Sequence, residues 1–323
     1  MTIAEELKYV GTLCVEFFID RNDNLKSAQG GVYALGNFDG VHLGHKEIIS
    51  KVIEISRSKN IPSGVLIFNP HPRSYFNPKL NDFILSDIKT SSYLLEKTKL
   101  DFLGILKFDE AMSNLSPREF IEKVIKDRVG VSHLIVGYNF RFGKNREGDV
   151  EVLSKICSEY NIDLTIIEQV KNKELIISSS EIRKAIEELD FKRVNKIIGN
   201  HWKIIGKVIE GDKRGREIGF PTANIMMDNI IKPNFGVYAV NVEFKNNLFN
   251  GIANFGIRPT FDKTKSLPIL EVHLFDFSDN LYEEEIIISF VDFIRKEKKF
   301  DGLESLKSQI QLDINVAKDL LGL

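Results

Sequence analysis

Cysteine and tryptophan are almost missing from this chain: two cysteines, Cys14 and Cys157, and one tryptophan occur in 323 residues. With no CxxC spacing, neither a disulfide framework nor a thiolate zinc site is available, and both thiols read as inert in a reducing compartment. An excess of one charge is absent too. The 44 basic and 46 acidic residues leave a net charge of -2, too little for an electrostatic hold on nucleic acid or an anionic membrane. Small-molecule partners are expected instead, with no nucleic acid and no membrane among them. No stretch reaches the ~18 unbroken apolar residues of a membrane span, and the opening MTIAEELKYV lacks a basic run followed by an apolar one. The expectation is an unexported, cytoplasmic protein. Internal repeats and low-complexity tracts are also lacking, and nothing in the chain speaks to its oligomeric state.

What is present is a change of rhythm. At a prior of about 150 residues per domain, the length implies two domains, each able to bury a core. In the first half, apolar runs such as VYALGNF, SGVLIFNP, DFLGILKF, SHLIVGYNF and DLTIIEQV alternate with helical stretches such as HKEIISKVIEISRSKN. That order predicts an α/β layer with a parallel sheet covered on both faces and ligands at the carboxyl ends of its strands. From Trp202 the runs WKIIGKVIEG, FGVYAVNVEF, LFNGIANFG, ILEVHLFDF and EIIISFVDFI follow one another across Gly, Asn, Pro and Asp turns, predicting an antiparallel β-barrel. A terminal helix closes the chain, with Asp301 and Glu304 as a capping-box start and Leu303, Leu306, Ile310, Ala317 and Leu320 along one side. The boundary falls near residue 185, giving domains 1–185 and 186–323.

Two stretches carry chemistry on the residues alone. In GNFDGVHLGHKE, His42 and His45 stand at a helix start that follows an apolar strand. The unpaired N–H groups and positive dipole there suit a phosphate, two imidazoles add directed donors, and Gly44 removes a side chain between them. In the second half, Thr222 and Asn224 alternate in FPTAN, so an extended segment points both the same way and offers a hydroxyl and an amide carbonyl to one hard cation. Gly211, Gly215 and Gly219 precede this segment, but no GxxxxGK[ST] occurs, so the site is not a P-loop. The alternation of Leu270, Val272 and Leu274 sets Glu271 and His273 on the opposite strand face, which by itself describes a solvent-facing acid equally well.

These residues fall within a recognisable pattern. GNFDGVHLGH resembles the GxFDGxHxGH signature of nucleotidyltransferases, and ISSSEIR resembles their ISSTxIR segment, with Ser180 in place of Thr. FNPHPRSYF and VGYNFRFGKNREGD resemble the flavin-side motifs of FMN adenylyltransferases. GDKRGREIGFPTANI and LEVHLFDF are similar to the Gly-rich, PTAN and catalytic-glutamate segments of riboflavin kinases. Colinear from about Val32 to Ala317, they resemble the bacterial bifunctional riboflavin kinase/FAD synthetase family.

The resemblance implies a Rossmann-like nucleotidyltransferase domain followed by a barrel kinase, with ATP as co-substrate, Mg2+ as cofactor, and riboflavin, FMN and FAD as substrates or products. It implies that Gly36, Phe38, Asp39 and Gly44 contact ATP while His42 and His45 steady the triphosphate, and that Ser178, Ser179 and Arg183 hold the departing phosphates. Asn139 and Phe142 would face the flavin. Phe68 and Pro70, with Pro72 and Phe76, would wall its ring, although with 23 phenylalanines in the chain a core role for such residues stays open. In the barrel, Gly211, Gly215 and Gly219 would cradle ATP, Thr222 and Asn224 would hold the metal, and Glu271 would take the proton of the riboflavin hydroxyl. Glu283 stands where relatives often carry Gly. A non-catalytic flavin-binding regulator and a transferase for another phosphorylated acceptor are the alternatives.

Overall fold

The computed structural model describes residues 16–19, 25–78, 80, 82–169, 171–172, 175–211, 215, 218–257 and 268–323. Cys14 and the neighbours of Gly215 in the Gly-rich segment lie outside them. The chain divides into two compact units: 1–81 with 91–177, and Asp82–Thr90 with Ser178–Leu323.

The first unit is built on a six-stranded sheet. Its strands are β1 (Glu16–Ile19), β2 (Val32–Leu35), β3 (Ser63–Asn69), β4 (Phe102–Lys107), β5 (His133–Gly137) and β6 (Asp163–Ile167), in the order β1-β4-β3-β2-β5-β6. Every neighbouring pair is parallel. A small antiparallel pair, β7 (Lys171–Asn172) with β8 (Leu175–Ile176), follows. Strands buried on both faces read as unbroken apolar runs, and all four residues of β2 are buried. Helix α1 (Leu43–Lys59) turns Ile49, Val52 and Ile55 inward and stops at Asn60, whose left-handed φ of 50° ends the helix. Arg57 and Lys59 in its last turn suit the negative end of its dipole. Because β3 and β4 lie to one side of β2 while β5 and β6 lie to the other, strand order reverses between β2 and β5. Ligands of open parallel sheets bind outside the carboxyl ends of the strands at such a point. The chain leaving β2 there is Gly36–His42, and the chain leaving β5 begins at Tyr138.

The second unit is a closed antiparallel barrel of β9 (Trp202–Ile209), β10 (Ala223–Met226), β11 (Gly236–Phe244), β12 (Asn247–Ile257), β13 (Pro268–Leu274) and β14 (Glu285–Lys296). They close in the order β10-β13-β12-β11-β14-β9, which leaves no strand edge exposed. Ile204, Ile225, Phe255, Leu270, Val272 and Phe290 are buried. The segment Asp82–Thr90 belongs to this unit: Ile84 bridges Ile230, and the buried Trp202 indole donates to the Leu85 carbonyl at 2.9 Å.

The terminal helix, here α2 (Leu303–Leu321), covers the outer face of β11 and β12, where Ile314 and Ala317 pack with Val237, Ala239 and Ile252. Two expectations for it are corrected. It starts at Leu303 from a Gly302 N-cap that makes no side-chain cap bond, so Glu304 stands one position too early for a capping box. Its buried stripe runs through Asp313, Ile314 and Ala317, while Leu303 and Leu320 are exposed.

Two candidate active sites

The turn after β2 is wound tightly. Phe38, Gly40 and Val41 all take positive φ, 49°, 82° and 39°, and the Val41 N–H donates back to the Phe38 carbonyl at 3.2 Å. A β-branched residue at such a φ is costly, and strain of this kind gathers at ligand sites. Phe38 and Asp39 are buried, and a Cβ on Gly36 would stand 3.2 Å from the Phe38 ring. The turn delivers His42 as the N-cap of α1, its Nδ1 accepting the His45 N–H at 3.3 Å. With the Nδ1 lone pair so used, the ring proton of His42 is on Nε2. The two imidazoles stack, centroids 3.7 Å apart and 14° from parallel, and Phe38 tilts against His45 at 4.9 Å. Gly44 makes this possible, since a Cβ there would meet the His42 ring at 3.1 Å.

Burial pushes the His45 pKa well below the ordinary 6.5, and His42 beside it acts in the same direction. His45 Nδ1 is buried with no hydrogen-bond partner among the described residues. Two stacked imidazoles at a dipole's positive end disfavour a shared positive charge. His45 therefore offers an N–H donor, not a cation. Burial also lowers the pKa of Lys46, the next residue along the helix.

The flavin-side candidates are spread differently. Asn139 and Pro70 are exposed. Phe142 is 6% exposed and sits in the hydrophobic core, stacked on Phe140 at 5.6 Å and tilted against Phe120 at 5.9 Å. Phe68 packs edge-on to Phe108 at 5.6 Å, and Phe108 in turn meets Tyr75 and the exposed Phe76. Ser178, Ser179 and Arg183 fall in the second unit. Ser178 caps helix Ser179–Glu187, its Oγ accepting the Glu181 N–H at 3.2 Å. Arg183 Nε donates to the Phe83 carbonyl at 2.8 Å, with the guanidinium 3.9 Å above the Phe83 ring.

The barrel holds a cavity of about 810 Å³ on its outer face. Thr222, Asn224, Glu271, Asn254, His273 and Gly215 line it on the barrel side, and Leu306, Ile310 and Asp313 of α2 face them. The register explains the grouping. Glu271 is the direct antiparallel partner of Asn224 on β10 and of Asn254 on β12, so the three side chains form one row across three strands. Leu270 and Val272 point the other way and are buried, as the alternation predicts. Asn224 is 4% exposed, and its Oδ1 has no hydrogen-bond partner among the described residues. An orphaned buried carbonyl oxygen, a hydroxyl two residues away and a carboxylate opposite are hard oxygen donors of the kind Mg2+ takes. Among the described residues no cluster of His, Cys, Asp and Glu could hold a metal, so a cation here would depend on Thr222, Asn224 and its nucleotide. These residues fit the ion.

The glycines have separate tasks. A Cβ on Gly211 would stand 2.2 Å from Asn224 Nδ2, and one on Gly215 would stand 2.4 Å from the Phe220 carbonyl oxygen and 3.4 Å from Thr222 Oγ1. Gly219 takes φ 93° in open space. Glu283 takes φ 66°, the region glycine enters most readily. Sequence reasoning missed several cavity residues. Arg295 on β14 grips Asp313 of α2 with two nitrogens, Nε at 2.8 Å and Nη2 at 2.7 Å, and Gln309 Nε2 adds a bond to Asp313 at 2.8 Å. Polar residues inside the apolar pattern of α2 and opposite Glu271 were the available signs.

Stacked imidazoles at a helix start beside the switch point of one unit, and a carboxylate opposite an orphaned amide oxygen in the other, are the arrangement expected of a two-site phosphate-transferring enzyme that uses nucleotides. The family model for FAD synthetase matches residues 24–181 and that for riboflavin kinase matches residues 198–321. The bifunctional riboflavin kinase/FMN adenylyltransferase of Buchnera aphidicola subsp. Schizaphis graminum is 38% identical over 93% of this chain and 97% of its own. The enzyme of that name from Escherichia coli K12 is 35% identical over 93% and 96%. A solved structure from Streptococcus pneumoniae, described as a macrolide-efflux protein, shares the fold at a TM-score of 0.81, 28% identity and coverage of 94% and 98%. Among the described residues no helix is long and apolar enough to cross a membrane. The chain belongs to the bifunctional riboflavin kinase/FMN adenylyltransferase family.

Proposed function

We propose that the barrel unit transfers the γ-phosphoryl group of ATP to the 5′-hydroxyl of riboflavin, giving FMN, and that the parallel-sheet unit joins FMN to the adenylyl group of a second ATP, giving FAD and pyrophosphate. Small molecules, flavins and ATP, are its partners, and the setting we assign is the cytoplasm, where the buried Cys157 stays a free thiol.

In the barrel the acceptor is an alcohol that keeps its proton at neutral pH. Glu271 takes that proton as the hydroxyl oxygen bonds to the γ-phosphorus and the bond to the β-phosphate oxygen breaks. Thr222 Oγ1 and Asn224 Oδ1 would hold Mg2+, which would spread the charge of the ATP phosphates. Gly211, Gly215 and Gly219 shape the nucleotide loop. In the sheet unit the acceptor is a phosphate with a second pKa near 6, already largely dianionic, and needs no base. An FMN phosphate oxygen bonds to the α-phosphorus and pyrophosphate leaves. The His42 and His45 N–H groups and the α1 N-terminus receive the developing charge, while Gly36, Phe38 and Asp39 form the wall and Gly44 opens the backbone. On the family resemblance Ser178, Ser179 and Arg183 hold the departing phosphates. Asn139 and Pro70 contact the flavin, with Phe68 and Phe142 behind them.

The observation that carries the reading is the pairing of Glu271 with Asn224 across one cavity wall. Purified protein given riboflavin, ATP and Mg2+ should yield FMN and then FAD by chromatography. Neither product would mean a flavin-binding regulator; FMN formation with no FAD from added FMN would mean another acceptor for the sheet unit. Glu271→Ala should stop FMN formation and spare FAD formation from added FMN, and His45→Ala should lower FAD formation while sparing FMN formation.

A further inference from the structure

The β10–β13 ladder ends one residue short of the first proposed metal ligand. Its register pairs Asn224 with Glu271 and Ala223 with Val272, and β10 begins at Ala223. Thr222 therefore lies beyond the last paired residue, and continuing the antiparallel register would set it opposite His273. A hydroxyl that must share a cation with Asn224 needs its backbone held, and the sheet does not hold it. His273 supplies the missing bond: its Nδ1 lies 2.8 Å from the carbonyl oxygen of Pro221, the residue before Thr222. The acceptor is a carbonyl, so Nδ1 carries the proton and donates. The same ring meets Phe220 edge-on, centroids 5.7 Å apart at 85°. Thus His273 braces both residues leading into Thr222, from the strand face that also carries Glu271.

We propose that His273 is a positioning residue of the kinase site, fixing the Phe220–Pro221 turn so that Thr222 Oγ1 stands beside Asn224 Oδ1 at the cation. It acts through Nδ1 on the backbone and touches no reacting atom. The inference rests on the metal reading of Thr222 and Asn224 given above.

The test uses the full-length chain with His273→Ala, His273→Asn and His273→Gln, and Asn224→Ala to mark the site. The side-chain amide of Asn can reproduce the Nδ1 donor, whereas that of Gln reaches toward the Nε2 position. Calorimetric titration with MgADP, and with ADP in EDTA, is compared with the Mg2+ dependence of FMN formation. Loss of one such hydrogen bond predicts MgADP binding about three- to tenfold weaker in His273→Ala and His273→Gln, in the binding class that Asn224→Ala diminishes. Metal-free ADP binding should be unchanged, His273→Asn should be within about twofold of the parent, and kcat at saturating Mg2+ should recover. If His273→Asn is as impaired as His273→Ala, the ring acts through Nε2 and the proposal fails. It fails also if His273→Ala lowers thermal stability while MgADP binding stays intact. If Asn224→Ala itself leaves MgADP binding untouched, the metal reading falls first and the inference with it.

Discussion

A single methyl group placed behind the kinase site should silence it without altering any functional side chain. In Gly211→Ala the new Cβ would lie 2.2 Å from Asn224 Nδ2 and 2.9 Å from its Cγ. Heavy atoms rest at about 3.5–4.0 Å, so the amide must retreat by more than about 1 Å. Asn224 is buried in a strand, with its backbone paired to β13 and β9, and the amide can yield only by rotating away from its place beside Thr222. A misplacement of about 1 Å costs roughly 100-fold in rate, so kcat/KM for FMN formation should fall about 100-fold, or about 2.7 kcal/mol of transition-state stabilisation. Overpacking should also lower the unfolding free energy of the barrel unit by about 1–3 kcal/mol. The assay is initial-rate FMN formation by chromatography across a Mg2+ series, with FAD formation from added FMN as the internal control. FMN formation within threefold of the parent at every Mg2+ concentration would show that the amide's position does not govern the reaction.

The structure makes three further predictions. Because the folded-state pKa of His45 lies below 6.5, its contribution to unfolding is absent above that pH. Below it, the unfolded chain binds a proton the native site refuses, and stability falls by up to about 1.4 kcal/mol per pH unit. His133 and His201 are lowered by burial too, so the readout is the difference in slope between parent and His45→Gln in denaturant titrations from pH 7 to pH 5; equal slopes would refute it. Asp313 is 3% exposed and gripped by Arg295 and Gln309. With Arg295 still partly hydrated, Asp313→Ala should cost about 2–3 kcal/mol and free α2 from the barrel, seen as hydrogen exchange in Leu303–Leu321; a loss under about 0.5 kcal/mol would count against the latch. Gly302, an N-cap without a side chain, should accept Ser with a small gain of about 0.3 kcal/mol in thermal unfolding.

Much of the fold was legible because burial writes itself into strands. VYAL, the GVLIF within SGVLIFN and the LIV within HLIVG are apolar without alternation because both faces of the sheet are covered, and ILEVHL alternates because only one face is buried. EFFI went unread: a four-residue run ahead of DRND does not by itself distinguish an added strand from a loop. Register was the larger gap. That Asn224 faces Glu271, or that His273 reaches Pro221, depends on how strands far apart in sequence align, and no local period encodes an alignment. No local pattern marks Arg295 and Asp313 as partners, since only the meeting of β14 with α2 brings them together. The assignment of Asp82–Thr90 to the barrel unit was equally hidden, since its ties run through backbone groups: the Ile231 N–H to the Ile84 carbonyl and the Trp202 indole to the Leu85 carbonyl.

The two sites differ for one chemical reason, and one substitution tests it. An alcohol must lose a proton as it attacks, so a carboxylate beside it lowers the barrier. A phosphate that arrives as a dianion has no such proton to lose, and a carboxylate there would only repel it. The sheet unit follows that logic, for His45 is a neutral donor stacked on His42 at the start of a helix. In His45→Glu an anion would replace the donor. Two unit charges about 4 Å apart at an effective dielectric near 20 repel by about 4 kcal/mol, so FAD formation should fall roughly 1000-fold below that of His45→Ala, with little relief from salt because the site is buried. FMN formation in the barrel should be unaffected. If His45→Glu instead exceeded His45→Ala, the adenylyl transfer would be using a base, and the division of the chain into one site with a carboxylate and one without would have no chemical basis.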